Sequence, residues 1–430
     1  HRLTGISEAG AVICHYRGVA AGAVSANTAS RDRGEAMRDI PAHRLEPFGT
    51  TVFSVMSQLA AEHQAINLGQ GFPDFPGPEK VKQAAVAAIN ADLNQYAPSH
   101  GLPVLRESIA RTFEASYGMA VNPDSEVTVT SGATEAMLAA LLGIVNPGDE
   151  VILLEPFYDA YPAQVAFAGG ISRYVRLHEP DWTLDYGELR QAISARTRVI
   201  VINTPNNPTG KIFSRPELEK IAELCIEHGI VAITDEVYDR IVYDNVEHIP
   251  LATIPGMASR TITINSTGKT FGMTGWKVGY AIASRTLSRA IRSSHQFITF
   301  ATATPFQAAM AGVLTSSLHD GYYAELARMY AGLRDQLRGA LADVGFKVLP
   351  CSGSYFLLVE IEQFGFADDV EFCRFLTTEV GVAAIPPSSF YADPSTAPAL
   401  ARFCFAKRPE TIESAAERLR RLPELRHVRS

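Results

Sequence analysis

The chain has 430 residues, 47% of them apolar and 20% charged, a globular balance with room for two or three domains and a deep site. Its net charge of −8 argues against general affinity for nucleic acid or anionic membrane, and no apolar run approaches the ~20 residues that span a bilayer. The five cysteines, Cys14, Cys225, Cys351, Cys373 and Cys404, are scattered without a C-x-x-C pair, which points to packing in a reducing compartment such as the cytoplasm rather than to a metal or redox site.

Residues 1–36 start at His1, are rich in Ala, Gly and Ser, and show no sustained periodicity. Arg2, Arg17, Arg31 and Arg33 meet only three acids there, so the segment reads as an organellar transit-like leader or as a non-native extension ahead of Met37. An N-terminal arm that also forms part of the smaller domain is expected over residues 37–73. From about Thr51 short β-branched runs alternate with longer amphipathic stretches. The runs are Val127–Thr130, Val151–Leu154, Val199–Asn203, Val231–Thr234, Thr261–Asn265 and Val278–Ile282. Most are near-continuously apolar, as expected of strands covered on both faces. Helical patterns such as Glu135–Val145 and Arg215–Glu227 lie between them. The alternation predicts an α/β domain over residues 74–305, its mostly parallel central sheet sandwiched by helices. Beyond Pro305 a helical Leu326–Val344, a strand-like Ser354–Glu360, a helix near Val370–Val380 and a strand Ala401–Phe405 predict a smaller α+β domain over residues 306–430.

Ligands of open α/β sheets sit beyond the carboxyl ends of the strands, so the residues just past each run are the candidates. Ser131-Gly132-Ala133-Thr134 opens a helix with small residues, whose free N–H groups and dipole suit a phosphate; a tight βα turn explains it equally well. Asn203-Thr204-Pro205-Asn206-Asn207-Pro208-Thr209-Gly210 reads as a turn unusually rich in amides, with Asn207 able to donate to a buried oxygen. Asp235 ends the next strand, either as a helix cap or as an acid aimed at a cationic ring nitrogen, and Tyr238 follows three residues on. Lys269 lies directly after a buried strand among small residues. A lysine desolvated there has a depressed pKa and forms a Schiff base with a carbonyl. Lys277, eight residues further, suits a phosphate, or a plain exposed loop.

The ordered set carries more than its parts, and with it the sequence resembles the fold-type I, class I/II aminotransferases from about Ala42 to Leu422. The phrases Leu68-Gly69-Gln70-Gly71-Phe72-Pro73-Asp74, Glu155-Pro156-Phe157-Tyr158, Asn206-Asn207-Pro208-Thr209-Gly210, Asp235-Glu236-Val237-Tyr238, Thr274-Gly275-Trp276-Lys277-Val278-Gly279 and Arg402-Phe403-Cys404-Phe405 stand together. It looks most like the kynurenine and glutamine–phenylpyruvate branch, with bacterial methionine and succinyl-diaminopimelate aminotransferases as near relatives.

The resemblance implies that Lys269 carries pyridoxal 5′-phosphate as a Schiff base and that Asp235 pairs with the protonated pyridine nitrogen. It assigns Asn207 and Tyr238 to the ring hydroxyl oxygen and Tyr158 to the ring face. Ser266, Lys277 and the amides of Gly132, Ala133 and Thr134 would hold the phosphate, with Tyr96 reaching it from a neighbouring subunit. Arg402, Asn207 and the backbone of Gly71 would clamp the substrate α-carboxylate, a task suited to a planar fork of donors. Phe300 matches an aromatic presented to the neighbour's pocket, so a twofold homodimer with shared sites is implied.

Lysine at 277, where aspartate aminotransferases carry arginine, is usual in the kynurenine branch. The segment Ser294–Pro305 contains no Arg or Lys, which argues against dicarboxylic donors. The implied activity is ping-pong transamination of an aromatic, apolar or sulfur amino acid with a 2-oxo acid. Cysteine-conjugate β-elimination and succinyl-diaminopimelate transamination are the alternatives. A regulator's sensor domain is a remote one, disfavoured by the intact Lys269, Asp235 and Arg402.

Overall fold

The computed structural model describes residues 42–427; the leader expected over residues 1–36, with Cys14, lies outside them. The strands, in chain order, are β1 (Ile66–Asn67), β2 (Val127–Ser131), β3 (Glu150–Glu155), β4 (Ile171–His178), β5 (Thr183–Leu184), β6 (Thr197–Asn203), β7 (Val231–Asp235), β8 (Thr261–Ser266), β9 (Val278–Ala283), β10 (Lys347–Val348), β11 (Phe356–Glu360), β12 (Val382–Ala383) and β13 (Leu400–Cys404). Eight form one sheet in the order β2-β9-β8-β7-β6-β3-β4-β5. Neighbours from β8 through β4 pair in parallel, while β9 runs antiparallel to both β2 and β8. β2 therefore points the same way as β6, β7 and β8.

The period-2 alternation of strand side chains sorts this sheet's residues between two cores. Val151, Leu153, Val199 and Val201 join Ala136 and Leu141 of helix Gly132–Ile144 and Ile291 of helix Arg285–Ile298 on one face. Ile152, Leu154, Ile200 and Ile202 join Leu218 and Ile221 of helix Arg215–His228 on the other. Both faces are covered, which is why these runs are apolar throughout rather than alternating. Helix Arg215–His228 starts where it does because Ser214 and Glu217 form a reciprocal capping box. The fold is α/β, as the alternation of runs implied.

A three-stranded antiparallel sheet, β10-β11-β13, builds a third core with helix Tyr322–Asp343 and a ring of phenylalanines that includes Phe346, Phe372 and Phe403. The short parallel pair β1-β12 ties the stretch before Leu68 to this region. Arg402 lies on β13 opposite Leu358 of β11, and its backbone also bridges to Ile385.

Two local features differ from the expectation. β4 did not read as a strand because Arg173 and Arg176 interrupt it, yet Arg173 pairs with buried Glu150 of β3 at 2.8 Å. The helix near Val370–Val380 is α-helical over Asp369–Phe375 and widens to a π turn over Leu376–Val380.

Candidate active site

The carboxyl ends of β2, β6, β7 and β8 open onto one cavity of about 350 Å³, closed from the other side by Phe356 of β11 and Arg402 of β13. Asn203 and Asp235 are register partners across β6 and β7, and Ser266 pairs with Gly279 across β8 and β9. Strand register thus brings together residues far apart in sequence.

At one end of the cavity Gly132 opens its helix with φ +78°. A Cβ there would meet the Lys277 side chain, 3.2 Å from Nζ, so the missing side chain lets that ammonium sit against the helix start. Gly279 is needed for the same reason: a Cβ on it would lie 2.3 Å from the Gly132 carbonyl carbon. Ala133, Thr134 and Ser266 line this end as well, and the Ser266 hydroxyl accepts from Gly268 N (3.1 Å), starting the short helix Thr267–Thr270 that carries Lys269.

In the middle, the Asp235 carboxylate accepts from the Tyr161 hydroxyl (2.7 Å) and from Val237 N (3.3 Å). A turn, not a helix, follows Asp235, so the acid is no helix cap. Burial pushes its pKa up, opposed by the Tyr161 hydroxyl. Burial likewise lowers Lys269 to about 8. The lysine's Nζ donates to the Tyr355 hydroxyl (2.9 Å) and the Gly71 carbonyl (3.2 Å). Tyr238 and Tyr158 complete the walls, and burial raises Tyr158 to about 12.

At the far end Arg402 is fully buried and lowered to about 10 by desolvation. Its guanidinium lies 4.1, 5.1 and 5.4 Å from the ring centroids of Phe356, Phe53 and Phe390. Nη1 donates to Asn207 Oδ1 (2.8 Å) and Nη2 to the Gly69 carbonyl (2.7 Å), while Nε has no hydrogen-bond partner among the described residues. With Asn207 Oδ1 taken, its amide nitrogen is left to donate elsewhere. Of the expected site residues, Tyr96 and Phe300 do not line the cavity. They pack edge-on against each other, centroids 5.4 Å apart, with Tyr96 85% and Phe300 47% exposed.

Phe53 and Tyr161 also line the cavity, and Tyr355 reaches it by its contact with Lys269, although the sequence singled out none of the three. Tyr161 follows Tyr158 at a spacing of three, a signal available in the sequence. Phe53, on helix Val52–Glu62, looks like any core aromatic. Tyr355 reads as one more apolar strand residue, and nothing local marks it.

The charges of the lining groups define what would fit among them. A buried acid without an ion-pair partner among the described residues calls for a cation, and the helix start beside Lys277 calls for an anion. A depressed lysine between them calls for a carbonyl. A cationic ring bearing an aldehyde and a phosphate meets all three demands, and the fold and cavity are those of a pyridoxal-phosphate enzyme. The chain belongs to the aminotransferase class I and II family, whose model matches residues 63–419. It is 43% identical over 383 residues to the methionine aminotransferase of Escherichia coli, covering 89% of this chain and 98% of that protein. It is 38% identical over 415 residues to the human kynurenine–oxoglutarate transaminase 1, with 89% and 98% covered. The solved structure of N-succinyldiaminopimelate aminotransferase from Mycobacterium tuberculosis matches with a TM-score of 0.86 at 44% identity, covering 89% of this chain and all of that one. The protein is a pyridoxal-phosphate-dependent aminotransferase.

Proposed function

We propose that this aminotransferase takes its amino group from an apolar, aromatic or sulfur-containing α-amino acid and passes it to a 2-oxo acid in a ping-pong cycle. The observation that carries the substrate class is the setting of Arg402. The cavity-lining cations are Lys269, Lys277 and Arg402, and Lys277 sits at the phosphate end. One guanidinium is thus left for one carboxylate, and Phe53 and Phe356 wall the space around it. A second carboxylate on the substrate meets no further lining cation among the described residues, whereas an apolar side chain meets aromatic carbon.

Bound pyridoxal phosphate supplies the electron sink that makes the substrate Cα proton acidic. Asp235, one oxygen anchored by Tyr161, would hold the pyridine nitrogen protonated. The free Asn207 amide and the Tyr238 hydroxyl would serve the ring hydroxyl oxygen, and Tyr158 the ring itself. Lys277, Ser266 and the N–H groups of Gly132, Ala133 and Thr134 would hold the phosphate. Arg402, with Asn207 and the Gly71 backbone, orients the carboxylate so that Lys269 Nζ takes the proton from Cα and later returns one. A lysine near 8 carries enough neutral amine to act as that base at physiological pH.

We further propose a twofold homodimer in which Tyr96 and Phe300 complete the partner's site. The exposed pair, with Phe297 84% exposed beside it, makes an apolar patch that supports this reading. Buried, free Cys225, Cys351, Cys373 and Cys404 support a reducing compartment such as the cytoplasm. Among the described residues no helix is long and apolar enough to cross a membrane. A panel of amino donors and 2-oxo acids with product detection tests the substrate class: methionine, phenylalanine and kynurenine should exceed aspartate and N-succinyl-diaminopimelate in kcat/KM. Equal or better turnover of aspartate or of N-succinyl-diaminopimelate, which carry two and three carboxylates by their chemistry, overturns the argument from Arg402. Pyruvate and ammonia from S-aryl cysteine would show β-elimination.

A further inference from the structure

Four consecutive carbonyls of the strap Gly69–Phe72 each meet a cationic side chain. Gly69 O accepts from Arg402 Nη2 (2.7 Å), Gln70 O and Phe72 O accept from Lys407 Nζ (3.3 and 2.9 Å), and Gly71 O accepts from Lys269 Nζ (3.2 Å). The Gly71 carbonyl also accepts from the Tyr355 hydroxyl at 2.6 Å, and that hydroxyl lies 2.9 Å from Lys269 Nζ. Lysine amine, tyrosine hydroxyl and backbone carbonyl form a closed triangle.

The proton count of the triangle fixes its polarity. A phenol has one proton, and a carbonyl 2.6 Å away can only accept it. The neighbouring Tyr238 hydroxyl also hydrogen-bonds Tyr355, and as a phenol with its own proton it can be the donor of that contact, which leaves the Tyr355 proton to the carbonyl. Tyr355 therefore turns a lone pair toward Lys269, and the amine must donate. A neutral amine has two N–H bonds and one lone pair. With both N–H groups given to Tyr355 and Gly71, the lone pair takes the remaining tetrahedral direction, away from the strap.

The backbone spends strain to build this arrangement. Ser354, immediately before Tyr355, is fully buried at φ +61°, a left-handed conformation unusual for a residue with a side chain, and its Oγ has no hydrogen-bond partner among the described residues. Tyr355 is then wedged between Tyr238, Phe356 and Tyr330, with centroids at 5.1, 4.9 and 5.9 Å, which leaves its ring no alternative path. Burial raises its hydroxyl well above the ordinary tyrosine value, so it keeps its proton and serves as a hydrogen-bond partner, not a base.

We propose that Tyr355 is a positioning residue that seats the freed Lys269 amine on the Gly71 carbonyl, aiming its lone pair at the substrate Cα for proton transfer. The inference rests on Lys269 being the cofactor lysine. It also links the two halves of the site, because the Gly71 backbone that receives the lysine belongs to the strap that Arg402 holds at Gly69.

The test is Tyr355→Phe, which removes the hydroxyl and keeps the ring, read in two ways. In the full chain freed of cofactor, competitive acetylation followed by mass spectrometry gives the pH midpoint of Lys269, with surface lysines as internal references. The groups acting on that midpoint besides burial are Cys404, Asp235, Arg402 and Lys277, and the substitution leaves them all in place. Loss of an acceptor for the ammonium should lower the midpoint by about one pH unit, a roughly tenfold change in the protonation equilibrium. In the holoenzyme, using the best donor of the panel deuterated at Cα, kcat should fall roughly 10- to 100-fold. KM should hardly move, and the primary isotope effect should rise as proton transfer becomes limiting. A residue that only supports the fold would not change the isotope effect. An unchanged midpoint together with a wild-type isotope effect overturns the proposal. Should Tyr355→Phe fail to fold, 3,5-difluorotyrosine placed at 355 keeps the shape and weakens the acceptor; the midpoint must still fall, and an unmoved one counts against the inference. Borohydride reduction separates the two levels. An adduct on another lysine overturns the assignment of Lys269, whereas an adduct on Lys269 with an unmoved midpoint overturns the role of Tyr355 alone.

Discussion

Replacing Lys269 by methionine should abolish turnover and at the same time stabilise the cofactor-free chain. Burial takes this lysine from an ordinary 10.5 down to about 8, so the folded state holds the proton less tightly than the unfolded chain does. Below pH 8 the folded state carries a charge it disfavours, and a drop from 10.5 to about 8 at about 1.4 kcal/mol per tenfold puts that cost at about 3 kcal/mol. The cost shrinks as the pH rises through 8 and vanishes above 10.5, where the amine is neutral in both states. Methionine matches the length of the side chain without the charge, but it forgoes the hydrogen bonds to Tyr355 and Gly71, which leaves a gain of about 1–2 kcal/mol at pH 6.5. At about 2.1 cal/mol/K of unfolding entropy per residue, a chain of this length should melt about 1–2 °C higher. Thermal melts of cofactor-free wild type and Lys269→Met at pH 6.5 and pH 10, run at one scan rate, give the comparison. A variant that melts no higher at pH 6.5, or whose advantage is undiminished at pH 10, refutes the reasoning.

Three further outcomes are expected. Asp235→Asn should lower kcat by about 10²–10³ or more while leaving the melt within a few degrees, because an amide cannot hold the pyridine nitrogen protonated; near-wild-type turnover would contradict the role. Gly279→Ala forces a Cβ to 2.3 Å from the Gly132 carbonyl carbon, so it should cost about 2–3 kcal/mol of stability and weaken cofactor retention, measured by denaturant titration and by dialysis of the yellow protein. Mixing Lys269→Ala with the Tyr96→Ala, Phe300→Ala double variant under subunit exchange should restore part of the activity, since mixed dimers regain one complete site. Zero activity with exchange verified by mass would remove the shared-site model.

Local chemistry was enough to read much of this protein. The strands that carry Asn203, Asp235 and Ser266 announce themselves because each is buried on both faces, so apolar pattern and position agree. Lys269 stands out for the same reason, as a cation directly after such a strand. β4 escaped because its Arg173 looks like a surface residue until Glu150 of the neighbouring strand is set beside it. The state of the site is another matter. Nothing local tells that Tyr161 anchors Asp235, that three phenylalanines surround Arg402, or that Tyr355 and Gly71, 284 residues apart, hold Lys269 between them. These are contacts between elements distant in the chain, made by sheet register and by the docking of β11 and β13 over the strand ends. Side-chain identity along the chain determines which groups are available; only the packed fold strips their water, and it is that desolvation which brings Lys269 near 8, the range that its proposed role as a base calls for.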